Sequence, residues 1–178
     1  IDIVDYLDRE EFGILNGIPT AEGAIEIALR EKATTIWKSK CLISGFGKIA
    51  WPLSKILTAM GADVEILTHS NKSSSLASAC GYKTITSSEL KEHIGKYDIV
   101  FNTAPSIIFT SDVLKNAHRE CLFIDLASKP GGIDFESAKF EGLQVIWALS
   151  LPGKTAPLTA GSIVKSTIIN VLSERGEL

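Results

Sequence analysis

Residues 42–50 read Leu-Ile-Ser-Gly-Phe-Gly-Lys-Ile-Ala, an apolar run broken by Gly45 and Gly47 and closed by Ala50. Gly-x-Gly-x-x-Ala is the spacing with which a chain leaves a strand, turns beside a diphosphate and enters a helix. Each small residue has a mechanical reason. Gly45 permits the tight turn, Gly47 lets the main chain approach a pyrophosphate, and Ala50 lets the helix lie close on the strand. The helix start then offers unpaired N–H groups and a partial positive charge to the phosphates. On this reading Gly45, Phe46, Gly47, Lys48 and Ile49 lie along a dinucleotide. A glycine pair also serves as a plain turn, so the surrounding elements must carry the assignment.

Those elements alternate steadily after residue 40. Short apolar strands read at 41–45, 63–70, 82–86, 97–105, 121–128 and 143–149. Between them lie stretches of helical period, several ended by a glycine. Pro52 falls near a first helical turn, where a missing N–H costs least. A serine caps the helix of Ser87-Ser88-Glu89-Leu90. After a loop over 150–158, a helix capped by Thr159 runs to Ser173. Strictly alternating strands and helices imply parallel crossovers. The expected fold is α/β: a doubly wound six-stranded parallel sheet in the order 3-2-1-4-5-6, a Rossmann unit.

Residues 1–19 stand outside that sheet; residues 12–20 read as a short strand and a proline turn, after which Thr20 caps a helix over 21–32. The first residue is Ile. The expectation is therefore a longer natural chain, with 1–19 the tail of a truncated preceding domain and 20–178 the dinucleotide-binding domain.

An acidic residue at the end of the second strand would hold the adenosine ribose of NAD. Thr68 takes that place here, and Glu65 comes too early. Thr68, His69, Ser70, Asn71 and Lys72 can instead hydrogen-bond a 2′-phosphate that a carboxylate would repel. NADP is the favoured cofactor and NAD the alternative; a solvated polar loop is the plain reading. Ligands of open parallel sheets lie beyond the C-terminal strand ends. Asn102, Thr103, Ala104 and Pro105 follow the fourth strand, and Asp125, Ala127 and Ser128 the fifth. All are assigned to the cofactor, with Asn102 and Thr103 along the ribose and nicotinamide. Lys129 and Lys154 are candidates for a substrate carboxylate, or are solvated loop charges. No catalytic residue emerges: His93 and His118 read as surface histidines. No metal-ligand spacing and no Gly-x-Ser-x-Gly turn occur.

With 178 residues, 45% of them hydrophobic, the chain can bury a full core. A net charge of −3 favours neither nucleic acid nor an anionic membrane, and no stretch is long and apolar enough to span one. Cys41, Cys80 and Cys121 are widely spaced and odd in number, which fits reduced thiols in a cytosolic protein. Association into homo-oligomers is expected.

Four stretches together resemble the dipicolinate synthase A-subunit family: residues 14–29, 102–109, 125–135 (opening Asp125-Leu126-Ala127-Ser128-Lys129-Pro130-Gly131-Gly132) and 151–161. The resemblance covers nearly the whole chain. It implies a dehydrogenase that oxidises 4-hydroxy-tetrahydrodipicolinate toward dipicolinate in sporulation, with NADP as cofactor and, for a partner, the synthase's B-subunit. A more distant similarity joins residues 13–29, with Glu22 at a matching position, to the 2-hydroxyacid dehydrogenases and adenosylhomocysteinases. Lys129 falls where the hydroxyacid enzymes carry a substrate-binding Arg. Their catalytic histidine follows a proline in the last loop, whereas Gly153 follows Pro152 here. A non-catalytic dinucleotide sensor and a 2-hydroxyacid-type oxidoreductase stay open as alternatives.

Overall fold

A computed structural model describes residues 3–178. Strand side chains point alternately to opposite faces, and here both faces are buried. Cys41, Ile43, Ile66, Phe101 and Ile124 form one face, and Leu42, Leu67, Val100 and Phe123 the other. They belong to the strands Lys40–Ser44 (β1), Asp63–Thr68 (β2), Lys83–Thr86 (β3), Ile99–Asn102 (β4), Leu122–Asp125 (β5) and Gln144–Trp147 (β6). These six pair in parallel in the order β3-β2-β1-β4-β5-β6, the expected doubly wound arrangement.

Eight α-helices and two short 3-10 turns, Tyr6–Asp8 and Ile94–Lys96, complete the fold among the described residues; the α-helices are Glu10–Glu31 (α1), Ala50–Ala59 (α2), Asn71–Ala79 (α3), Ser87–His93 (α4), Ser111–Leu114 (α5), Phe135–Phe140 (α6), Leu151–Thr155 (α7) and Pro157–Glu174 (α8). The first sheet face packs on Ala24 and Ala28 of α1, Leu53 and Leu57 of α2 and Leu151 of α7. The second packs on Leu90 of α4, Leu114 of α5 and Ala138 of α6. Cys41 and Cys121 are buried free thiols, and burial pushes both up to about 12; Cys80 is exposed. No helix of the described residues is long and apolar enough to cross a membrane.

The N-terminal reading is corrected. Instead of a strand, a proline turn and a Thr20 cap, residues 10–31 form one helix with Pro19 inside it. Proline removes one helical hydrogen bond. The Thr20 hydroxyl caps nothing; it donates to the Asn16 carbonyl at 2.7 Å. Burial outweighs the local signal, since Gly17, Pro19, Thr20, Ala21, Gly23 and Ala24 are all buried. Arg9 ties the start of this helix to the end of α8 by a two-pronged pair with Glu174, at 2.9 and 2.6 Å.

Other boundaries shift for local reasons. β2 stops at Thr68 because Ser70 caps α3, its hydroxyl accepting from the Ser73 N–H at 3.2 Å. The cap of α4 is Thr86 rather than a serine, in a reciprocal capping box with Glu89. The 150–158 loop is in fact the single turn α7 followed by the start of α8, each with a proline in its first turn.

Leu42 is fully buried in the central strand. Truncating it to alanine should cost about 2–5 kcal/mol. Urea unfolding should show this as a lowered midpoint with an unchanged slope.

Candidate dinucleotide-binding site

The sequence places the glycine turn where β1 gives way to α2, at the centre of the sheet's C-terminal edge. Gly45 has φ +89°, a conformation that disfavours side chains, and its N–H bonds the Leu67 carbonyl at 2.8 Å. A Cβ there would lie 2.9 Å from the Thr103 hydroxyl, which donates to the Ser44 carbonyl at 2.7 Å. Thr103 thus closes the turn from the β4 side. A Cβ at Gly47 would meet nothing within 4 Å, so that face of the loop is open. The N–H groups of Phe46, Gly47, Lys48 and Ile49 find no acceptor among the described residues. Four adjacent unpaired donors at a helix start, beside open space, are what a diphosphate requires. These residues fit a dinucleotide.

Beyond the ends of β2 and β3 lies a polar depression of about 350 Å³, lined by Thr68, His69, Ser70, Asn71, Ser74, Thr86, Ser87 and Ser88. Thr68 is buried and Lys72 exposed on α3; Lys72 does not line the depression. The His69 ring stands between two hydroxyls, with Nε2 3.4 Å from Ser44 Oγ and Nδ1 3.1 Å from Ser87 Oγ. Partial burial holds its pKa below the usual histidine value. On acidification the unfolded chain therefore takes up the proton first, and His69 withdraws stability as pH falls below about 6.5. Glu65 is unavailable to a ribose: mid-strand, it takes Lys96 at 2.8 Å and the Tyr97 hydroxyl at 2.6 Å. Sequence reasoning missed Ser74, Thr86, Ser87 and Ser88, although the three successive hydroxyl residues at the end of β3 were a readable signal.

Asn102 and Asp125 are fully buried, side by side at the ends of β4 and β5. The Asn102 amide donates to Asp125 Oδ1 at 2.8 Å and to the Ala104 carbonyl at 2.9 Å. Asp125 also accepts from the Ala127 N–H at 3.1 Å and the Gly132 N–H at 2.8 Å. Both side chains therefore shape the loops after their strands from beneath. Ala104, Pro105 and Ser128 sit on those loops, with Ser128 and Pro105 exposed and Ala127 buried. Trp147 fixes the second loop from β6, its indole N–H donating to the Ala127 carbonyl at 3.0 Å. Lys129 lies on this loop and Lys154 on α7; both are exposed, and neither has an ion-pair partner among the described residues. His93 and His118 lie away from this edge, on α4 and before β5. Among the described residues, no three His, Cys, Asp or Glu side chains are grouped to hold a metal.

A Cβ at Gly132 would lie 2.2 Å from the Asn102 amide nitrogen, and Asn102 is fully buried with its amide bonded to Asp125 and the Ala104 carbonyl. Gly132→Ala should therefore cost about 1–3 kcal/mol in denaturant titration. Asp125→Asn should cost on the order of 1–3 kcal/mol, because one of three buried N–H donors would face an amide; thermal unfolding would measure it.

The same fold recurs in known proteins. The profile of the shikimate / quinate 5-dehydrogenase family matches residues 26–147. The dipicolinate synthase A-subunit of Bacillus subtilis is 35% identical over 172 residues, covering 97% of this chain and 58% of that protein. The crystal structure of the Bacillus subtilis protein superposes with a TM-score of 0.93 at 35% identity, over 96% of this chain and 57% of the other. That of the dipicolinate synthase A-subunit from Bacillus halodurans gives 0.91 at 31% identity, over 95% and 58%. A transhydrogenase from Sinorhizobium meliloti shares the fold at 19% identity, with a TM-score of 0.81 over 99% and 59%. The chain thus spans somewhat over half the length of these relatives. It is a homologue of the dipicolinate synthase A-subunit and belongs to the shikimate / quinate 5-dehydrogenase family of Rossmann-fold proteins.

Proposed function

We propose that this chain is the NADP-binding part of a dehydrogenase acting on a dipicolinate precursor. The observation that carries the reading is the run of four unpaired N–H groups at Phe46–Ile49, next to the hydroxyl-lined depression after β2. The loop would hold the diphosphate, and His69, Ser70 and Asn71 the adenosine 2′-phosphate, with Lys72 adding charge. Thr103 and Ser128 would border the nicotinamide, with Asn102 and Asp125 holding their loops in place. The domain assignment of 20–178, with 1–19 as the end of a further domain, belongs to the same proposal.

The family resemblance read from the sequence points to 4-hydroxy-tetrahydrodipicolinate as the substrate. Its conversion to dipicolinate removes water, one hydride and one proton. The nicotinamide ring, when bound, accepts the hydride. Lys129 and Lys154 would hold the two carboxylates from exposed positions after β5 and β6. The dipicolinate synthase B-subunit and a second copy of this chain as partners, a cytoplasmic location and a role in sporulation are part of this reading. A non-catalytic sensor is the second reading. Its support is that the buried polar pair at the site, Asn102 and Asp125, is committed to loop structure.

Calorimetric titration of this chain with NADPH and NADH tests the cofactor. The expected result is tighter NADPH binding, on the order of tenfold or more, since one lost phosphate contact is worth about 1.5–3 kcal/mol. Equal or tighter NADH binding would reject the role of Thr68–Lys72. A phosphate dianion favours the protonated imidazole, so NADPH affinity should rise roughly 2–10-fold from about pH 8 to about pH 6.5, before the phosphate itself protonates. NADH affinity should stay flat over that range, and His69→Ala should remove the difference. Turnover separates the enzyme from the sensor. A protein with the full length of the relatives should form dipicolinate with NADP and the hydroxy precursor. In it, Lys129→Ala should raise KM about tenfold or more.

A further inference from the structure

Gly17 lies in the middle of α1, outside every motif of the sheet, and is buried. A Cβ placed there would lie 2.3 Å from the carbonyl oxygen of Lys48 and 3.0 Å from its carbon. The helix backbone is thus pressed against one peptide of the glycine turn. That carbonyl is also unusual at the entry to α2. Trp51 N–H bonds the Gly47 carbonyl at 3.0 Å and Leu53 N–H the Ile49 carbonyl at 3.2 Å. The rung between them would be Pro52 to Lys48, and proline has no N–H. No donor among the described residues reaches the Lys48 carbonyl.

A trans peptide is planar, with its C=O and N–H on opposite sides. The Lys48 carbonyl faces Gly17, so the Ile49 N–H of the same peptide faces away from α1. From these facts we infer that Gly17 is a positioning residue for the diphosphate site. Pro52 frees the Lys48 carbonyl from the helix ladder, and the bare Cα of Gly17 gives it a place to lie. Together they set the angle at which the Ile49 N–H is presented. A side chain at 17 would displace backbone and rotate that peptide. Gly13, one turn earlier, is the internal contrast: the atoms nearest its Cβ would belong to the Lys48 side chain, at 2.8 Å from Cδ and 2.9 Å from Nζ, which can swing aside.

The inference rests on the dinucleotide reading, and its test separates the two. Gly17→Ala and Gly13→Ala are compared with the unaltered chain for binding of NADPH and of adenosine 2′-monophosphate, which lacks the diphosphate. Gly17→Ala should weaken NADPH at least tenfold and change the monophosphate less than twofold, with thermal unfolding still cooperative. Gly13→Ala should change neither by more than twofold. An unchanged NADPH affinity in folded Gly17→Ala, or an equal loss of both ligands, would overturn the role. Should Gly17→Ala fail to fold, the unaltered chain decides by amide NMR. The Ile49 N–H resonance should shift with NADPH and not with the monophosphate, and a resonance unmoved by NADPH would overturn the role. Failure of the unaltered chain to bind either NADPH or NADH would instead overturn the dinucleotide reading itself.

Discussion

A parallel sheet must end its central strand somewhere, and the backbone donors freed at that point need an acceptor. In this protein β1 stops at Ser44, and the N–H groups of Phe46–Ile49 at the entry to α2 have no partner among the described residues. Most of the surrounding architecture keeps them available. β2 and β4 flank β1 and hold the turn through the Leu67 carbonyl and Thr103. α1 lies across the start of α2, so the loop is braced from the helical layer as well as from the sheet.

The polar groups at the sheet's C-terminal edge divide by burial into two kinds. Ser44, Thr68, Asn102 and Asp125 are buried at strand ends. Among these, Asn102 and Asp125 are bonded to one another and to loop backbone, so they act by shaping what lies above them. His69, Ser70, Asn71, Ser87, Ser88, Ser128, Lys129 and Lys154 are exposed, and a ligand can exchange places with water on them. A buried, fully bonded group would lose its partners by turning to a ligand, whereas an exposed one gives up only hydration.

Much of this was legible in the residues. Strand order followed from alternation of apolar runs with helical stretches, and the glycine turn was visible from spacing alone. Legibility failed where tertiary contact overrides local preference. Pro19 and the glycines of α1 look like a turn, yet burial against α2 and α7 keeps the helix intact. Thr20 looks like a cap and instead back-bonds within the helix. The segment after β6 has two prolines and a glycine, and both prolines sit in first helical turns where they do no harm. Asn102 and Asp125 were recognisable as residues of the edge, but no sequence signal tells that they pair. That requires the register of β4 against β5, which the chain expresses only once folded.

Trp51 and Trp147 take on a second meaning from where they sit. The first stands in the opening turn of α2, 45% exposed, beside Phe46 and Gly47. The second is anchored under the Ala127 carbonyl, behind the loop that carries Ser128 and Lys129. One indole therefore stands beside the glycine turn near the centre of the edge, and the other at its β6 end. Reduced nicotinamide absorbs in the range where indoles emit, so these two indoles, together with the exposed Trp37, are built-in optical donors, and replacing them one at a time would show which of them lies nearest a bound ligand.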